Sequence, residues 1–542
     1  MALFFLTNCR GHAETTQVRW SNLFSQAEIL ELNPGVYLTL SNAFRSKKIV
    51  HLQDGLNQVF GFGTFFSERG FHEEALSSVD IVQFTEDLSE EVFGHYVFLI
   101  KSKSGVRIVT DPVGMINVFW SQQGDTFSVS NDINTVAATL DDLQISPIGT
   151  QQFVLNESTL GSVTIFEKVS RLKYRHELFV SDKAVDERIF YQNKPIKMNY
   201  LDYKERVEKY FKLINNYQGR ITTDLSAGYD TRLIAACASP FIPKLQGMTN
   251  ENKFDHGIDV AIATKIANRL KIPLEIIKRK SVPVYEEQKM LHLLSVGRDV
   301  IASRAWIDFC EKKYINSDLI LGGYGGEILR AKYSTFRDTE DFCHSYYNGR
   351  FLKAWGLTDL YPDYLRDCKK ILETEYEEEA ITDQAQRCNF WYGLDRMRIW
   401  GGSANQGFQL YGDRLHPFMD WYLMGPIFTF PIDELRAAKL QEKLIEQFSP
   451  GLMELPINPK GEVKITERVE KLMTRIMLKV KVKDPRKLKE IYRIVPRNQI
   501  RQDVVKKSRM DMPFLESSKT LFLSRFLTVN RALTQAREMN RR

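Results

Sequence analysis

The run Asp224-Leu225-Ser226-Ala227-Gly228-Tyr229-Asp230-Thr231-Arg232 carries the most chemistry in this chain. It follows a β-branched lead-in, Ile221-Thr222-Thr223, and opens onto the apolar run Leu233-Ile234-Ala235-Ala236-Cys237-Ala238. The pattern reads as strand, small-residue turn and helix start. Ser226, Ala227 and Gly228 let the backbone approach an anion, and the new helix offers unpaired N–H groups at its positive end. Asp230 inside such a turn would repel phosphate unless a cation sat between them, which points to Mg²⁺. No Gly-Lys-Ser/Thr follows, so the turn is not a Walker loop.

A second strand-and-turn segment, Leu319-Ile320-Leu321-Gly322-Gly323-Tyr324-Gly325-Gly326-Glu327, ends a glycine-rich run on one carboxylate. Farther on come Arg414-Leu415-His416-Pro417-Phe418-Met419-Asp420 and Leu455-Pro456-Ile457-Asn458-Pro459-Lys460-Gly461. The first turn resembles the Ser-Gly-Gly-x-Asp-Ser loop of N-type ATP pyrophosphatases, the fold of asparagine synthetase and its relatives. The other three segments are similar, in the same order, to that family's Ser-Gly-x-Gly-x-Asp-Glu, Arg-x-Pro-Phe-Leu-Asp and Leu-Pro…Arg-Pro-Lys-x-Gly elements. The resemblance implies ATP and Mg²⁺ as cofactors, with cleavage of ATP between its α- and β-phosphates to activate a carboxylate. It assigns Mg²⁺ to Asp230 and Glu327, and ATP or pyrophosphate to Leu225, Ser226, Ala227, Gly228, Asp230, Thr231, Met248 and Gly323. Lys460 falls on the lysine that contacts the reacting phosphoryl groups, and Tyr333 matches a family tyrosine.

The first two hundred residues extend the likeness. Gly94–Ile100, Val106–Val109, Val118–Trp120, Phe127–Asp132, Thr164–Leu172 and Arg188–Tyr191 read as a series of strands. Their order resembles the class II glutamine amidotransferase domain of asparagine synthetases. The chemistry of that domain needs a cysteine directly after the removed Met, because its own α-amine activates the thiol. Position two is Ala2, and Cys9 could serve only if eight residues were trimmed. No Asn-Gly-Glu element lies between Asn42 and Gly70. The expectation is a retained domain without glutaminase activity. Relatives without the cysteine include β-lactam synthetase and lasso-peptide cyclases. Tyr324 matches the tyrosine of β-lactam synthetases that works with an acidic partner on the attacking amine, and Asp395 lies in the segment where that partner is sought.

Expected, then, is an α/β multidomain chain. Residues 1–195 would form an αββα Ntn-like sandwich, and 196–460 an adenine-nucleotide α-hydrolase-like parallel sheet with extra helices. Residues 461–542 would be a basic helical extension. Three residues depart from the family loops without changing group type (Ala227, Thr231, Glu327), whereas Arg232 replaces a serine. Ala227 fits only if its φ is negative. Asp259 opens the amphipathic run Gly257–Ala267 as a helix cap or near the nucleotide.

The functional expectation is an AMP-forming carbon–nitrogen ligase with Tyr324 and Lys460 as catalytic residues. It would join a small-molecule, peptide or saccharide carboxylate to ammonia or an amine, in the making of a surface polysaccharide or natural product. A uronic acid is the leading substrate within the resemblance. Intramolecular cyclisation, asparagine synthesis and a non-catalytic scaffold are the alternatives. A homodimer is compatible with the sequence.

Composition excludes other classes. The 542 residues are 43% hydrophobic, which suits several real cores. No 18-residue apolar stretch and no signal-peptide pattern is present, so a cytoplasmic location is expected. The six cysteines form no CxxC and the nine histidines no HExxH, so no zinc site is expected. Lys460–Arg509 holds 17 Lys/Arg against 6 Asp/Glu, a basic stretch in a chain of net charge +6. It reads as a solvated helical face or an anion-binding surface. Its single aromatic, Tyr492, makes no interleaved series for base stacking, so a nucleic-acid partner is not expected.

Overall fold

The computed structural model describes residues 3–23, 27–41, 49–77, 90–191, 194–251, 257–278, 312–354, 357–377, 381–458, and 529, 533, 536 and 537. Cys310 and the whole basic stretch Lys460–Arg509 lie outside the described residues.

Strands β1 (Leu3–Thr7), β2 (Ala27–Asn33), β3 (Val36–Ser41), β4 (Val50–Asp54), β5 (Asn57–Ser67) and β6 (Gly70–Phe71) come first. They are followed by β7 (Phe93–Ser102), β8 (Gly105–Thr110), β9 (Phe119–Gln123), β10 (Thr126–Ser130), β11 (Ser170–Arg171), β12 (His176–Val180) and β13 (Val185–Ile189). They make two antiparallel sheets, ordered β11-β9-β10-β1-β3-β2 and β13-β12-β8-β7-β5-β4, with β6 paired to β5. Phe4, Leu6, Leu38 and Leu40 of the first sheet pack against Phe62, Val97, Leu99 and Ile108 of the second. Strand periodicity explains why β7 is apolar throughout. Val97 and Leu99 fill the space between the sheets, while Tyr96, Phe98 and Ile100 fill a second cluster on the opposite face. The helix Arg10–Leu23 covers the outer face of the first sheet, where Trp20 meets Leu3 and Phe5.

One expected strand is much reduced. Thr164–Leu172 yields only the two residues of β11 and an isolated bridge between Ile145 and Phe166. Lys168 adopts φ 61°, a left-handed turn that no continuous ladder accommodates.

The third sheet is wholly parallel: β14 (Ile221–Asp224), β15 (Gln246–Glu251), β16 (Leu274–Lys278), β17 (Leu319–Leu321) and β18 (Asp413–Leu415), ordered β16-β15-β14-β17-β18. The fold is therefore mixed α/β, two antiparallel sheets joined to one parallel sheet. A single large core cluster spans both parts, from Phe66, Phe93 and Phe153 to Tyr210, Leu415 and Leu423. Val529, Leu533 and Ala536, spaced along one helical face, are buried in it too. Polar contacts cross the same seam. Asp413 accepts hydrogen bonds from Thr64 Oγ1 at 3.2 Å and Tyr217 Oη at 2.6 Å. His416 N–H donates to His95 Nε2 at 3.0 Å, and burial pushes His95 down to about 3, which keeps that nitrogen free to accept. No helix among the described residues is long and apolar enough to cross a membrane.

Candidate active site

The order of the parallel sheet locates the site. From β14 the chain moves outward to β15 and β16, then crosses back to place β17 on the other flank of β14. The carboxyl ends of β14 and β17 therefore border a topological switch point, where open parallel sheets form a ligand crevice. The Leu225–Gly228 turn leaves β14 there and the Gly322–Glu327 turn leaves β17. The two segments singled out by sequence meet at one place.

Small residues let them meet. A Cβ on Gly323 would stand 3.0 Å from the Thr231 backbone nitrogen, and one on Gly326 would stand 2.6 Å from Asp230. Side chains at these positions would push Glu327 away from Asp230. Ala227 is not left-handed, so it meets the condition its substitution required.

Within the first turn the N–H groups have local partners. Ser226 N–H donates to Thr231 Oγ1 at 3.1 Å, Gly228 N–H to Ser226 Oγ at 3.2 Å, and Ala227 N–H to Asp259 Oδ1 at 2.8 Å. Asp259, in the first turn of the helix Ile258–Leu270, thus sets a carboxylate on an amide that an anion would otherwise use. Leu225 N–H donates to the Met248 carbonyl at 2.7 Å, while the Met248 side chain packs in an apolar cluster with Tyr314, Ile320 and Phe408. Arg232, the odd substitution, is fully buried. Its guanidinium donates to the carbonyls of Leu452, Leu455 and Pro456. Asn458 N–H donates to the Ala227 carbonyl at 3.0 Å. The segment leading to Lys460 is thereby fastened across the turn.

Asp230 accepts both of its close ion-pair contacts from Arg330 Nη2, at 2.7 and 2.8 Å. Glu327 lies beside it with Oε2 buried and without a hydrogen-bond partner among the described residues. Burial first, and then the Asp230 charge, push the Glu327 carboxyl up to about 7. A divalent cation fits this pair: it would satisfy the orphaned oxygen and offset the repulsion. Mg²⁺ needs no more than one or two carboxylates when phosphates and water complete its shell. Among the described residues no group of three or more His, Cys, Asp or Glu is placed to hold a metal.

A second buried charge cluster escaped sequence reading. Asp224, the last residue of β14, accepts from Lys313 Nζ at 2.5 Å and from Arg414 Nη2 at 2.7 Å. Burial alone would raise this carboxyl, but the two cations outweigh it and hold it at about 2. The only sequence signal is the Asp that ends β14, because Arg414 arrives on the three-residue β18, with β17 between the two strands. Tyr324 stacks on His416, with ring centroids 4.3 Å apart and planes at 10°. Burial, then the Arg414 charge, keep His416 neutral. It faces Tyr324 N–H on Nδ1 and Arg414 Nε on Nε2, both at 3.3 Å, and can accept from only one of them. Among the described residues no acidic side chain bonds the Tyr324 hydroxyl. Asp395 instead accepts from Tyr347 Oη at 2.5 Å.

Glu327 also lines a cavity of about 340 Å³ whose walls include Tyr333, Tyr346, Tyr347, Tyr392, Arg396 and Trp400. Four lining residues come from a ten-residue π-helix, Tyr392–Gly401. Such helices are rare and cluster at functional sites.

Cys9 lies at the far end of β1, just before the helix Arg10–Leu23. Trimming to expose it would delete β1, which pairs with both β3 and β10 inside the first sheet. Leu3, Phe4, Phe5 and Leu6 are all buried. Losing four such side chains would cost about 6–12 kcal/mol, comparable to a typical total stability of about 5–15 kcal/mol. Processing to Cys9 would therefore remove a large share of the stability of this fold.

No protein-family model matches the chain, and no curated protein matches it. Solved structures similar to it include the allosteric regulatory enzyme of purine biosynthesis, at 10% identity and TM-score 0.24, over 53% of this chain and 68% of that one. Glutamine phosphoribosylpyrophosphate amidotransferase from B. subtilis, complexed with ADP and GMP, is similar at 10% identity and TM-score 0.22, over 54% and 70%. The U34-tRNA thiolase NcsA from Methanococcus maripaludis, with its 4Fe-4S cluster, is similar at 13% identity and TM-score 0.21, over 52% and 73%. Likeness at this level carries no argument about activity, which rests on the site itself.

Proposed function

We propose that this chain is an ATP- and Mg²⁺-dependent ligase that activates a carboxylate as an acyl-adenylate and passes it to ammonia or an amine. The observation that carries the reading is the meeting of the Ser226–Thr231 turn with Glu327 at the switch point between β14 and β17. In this reading residues 1–195 are a domain without glutaminase activity, 196–460 the ligase domain and 461–542 its extension.

The roles follow from the geometry. Asp230 and Glu327 would hold Mg²⁺, which when bound would offset phosphate charge. Ser226, Ala227, Gly228 and Thr231 would receive the pyrophosphate portion, with the Asp259 carboxylate giving up the Ala227 amide. Leu225 and Gly323 shape the backbone on either side, and Met248 contributes its strand end rather than its buried side chain. Lys460, outside the described residues, would contact the reacting phosphoryl groups, as the resemblance implies. Tyr324, stacked on neutral His416, forms a wall of the crevice. Preorganised donors of this kind stabilise charge developing in a transition state.

The cyclase alternative draws support from one feature, the buried Asp395 that accepts from Tyr347, a residue of the cavity wall. Product analysis separates the readings. Wild type is incubated with ATP, Mg²⁺ and a panel of carboxylic acids, with and without ammonium, and AMP and pyrophosphate are quantified. The ligase reading expects AMP and pyrophosphate in equal amounts, dependent on an acid and abolished in Asp230→Ala. Release of ADP and phosphate instead would overturn it.

A further inference from the structure

The 340 Å³ cavity is built from both parts of the chain. The helix Pro147–Asn156, which follows the antiparallel strands through β10, ends on Glu157 at φ 65°, a left-handed cap costly for a non-glycine residue. The end of this helix and the turn that follows reach three residues of the cavity wall and, behind it, Asp395. Arg396 Nη1 donates to the Asn156 carbonyl and to Ser158 Oγ, the latter at 2.9 Å. Asn348 Nδ2 donates to the Leu155 carbonyl at 3.1 Å and Asn156 Oδ1 at 3.2 Å. Trp400 Nε1 donates to Glu157 Oε2 at 2.9 Å. Gly161 N–H donates to Asp395 Oδ1 at 2.8 Å, and the other oxygen of Asp395 holds Tyr347.

The lining describes its ligand. Nine of the ten lining residues carry a polar group, Met397 being the exception, so the wall combines ring faces with many donors and acceptors. Tyr333 and Tyr392 stack at 4.0 Å, and the Arg396 guanidinium lies 4.8 Å over the Trp400 ring. Among the described residues Arg396 is the one cation lining the cavity, and its remaining N–H donors suit a carboxylate. The volume sits at the small end of the about 300–1,000 Å³ usual for ligand pockets.

We propose that this cavity binds a compact ring-bearing carboxylate, and that the Leu155–Gly161 turn of the N-terminal part is the positioning element that sets its shape. The assignment rests on the ligase reading for the ligand's fate but not for its binding. Loss of glutaminase chemistry then leaves the N-terminal part a function, as one wall of the acceptor site.

Calorimetry on the full chain tests this with two ring acids, D-glucuronate for a pyranose and 4-hydroxybenzoate for an aromatic ring. D-glucose, without the carboxylate, and L-aspartate, without the ring, are the controls. At least one ring acid is expected to bind more tightly than both controls. Glu157→Ala should weaken it about tenfold, as should Trp400→Phe, which keeps the ring and loses the donor. Glu157→Gln keeps an acceptor and should restore affinity to within about threefold, and MgATP affinity should be unchanged in all three variants. Equal or tighter binding of either control, no binding of either ring acid, or full affinity in Glu157→Ala would overturn the proposal. Ring-acid binding without any nucleotide binding would sink the ligase reading and leave the pocket standing.

Discussion

Asp224 and Glu327 are two partly buried carboxylates at the same end of the same parallel sheet, and their surroundings drive them in opposite directions. Asp224 is clamped by Lys313 and Arg414 and held at about 2. Glu327 has an oxygen without a partner among the described residues, lies beside another carboxylate and is pushed up to about 7. The contrast separates a structural charge from a poised one. A carboxylate already neutralised by two cations has little to gain from a metal, whereas one left in repulsion gains from a metal or a proton.

The largest effect expected is on Asp224. Asp224→Ala leaves Lys313 and Arg414 buried without their partner and should cost about 3–5 kcal/mol in urea denaturation. A loss below about 1 kcal/mol would show the clamp to be solvated and would break the contrast.

The pH dependence of stability comes next, and the two groups act with opposite signs. Glu327 ordinarily titrates near 4.5, so between there and about 7 the folded state keeps a proton that the unfolded state has lost. Stability falls as pH rises through that window, by up to about 3 kcal/mol, and Glu327→Gln should remove the fall. Asp224 ordinarily titrates near 3.8, so between there and about 2 the unfolded state holds the extra proton. Its contribution is complete above 3.8 and is lost as pH drops toward 2. Denaturation midpoints of wild type and Glu327→Gln from pH 4 to 8 measure the first window; parallel curves throughout would contradict it.

Asp259 provides the smallest effect. Its carboxylate holds the Ala227 amide that pyrophosphate would take. Asp259→Asn removes the charge and should tighten inorganic pyrophosphate binding severalfold, about 1 kcal/mol or less. Weaker binding in the variant would make Asp259 part of the phosphate cradle rather than its competitor.

What could be read in the sequence follows the same divide. The Leu225–Asp230 turn and the Gly322–Glu327 turn are contiguous, and strand, small residues and carboxylate follow one another in each. Among the antiparallel strands, β7 to β10 and the end of β13 were legible, whereas β1 to β6 and β12 were not. The Asp224 clamp was not, because its cations arrive from positions 313 and 414. Nor was the tyrosine-rich cavity, whose walls run from Asn156 to Trp400 through a π-helix that has no sequence period of its own here. Arg232 stood out as a change of group type, but its reason, three carbonyls of Leu452–Pro456, became visible only in space. Tyr324 was matched to an acidic partner near Asp395, yet the fold gives that carboxylate to Tyr347.

The most direct test of the central claim is calorimetric ATP binding at pH 6 and pH 8, with Mg²⁺ and with chelator, on wild type and Glu327→Gln. The account predicts binding that requires Mg²⁺ and strengthens from pH 6 to pH 8 as Glu327 gives up its proton, with both dependences lost in the variant. Binding that is indifferent to Mg²⁺, or no nucleotide binding at either pH, would contradict it.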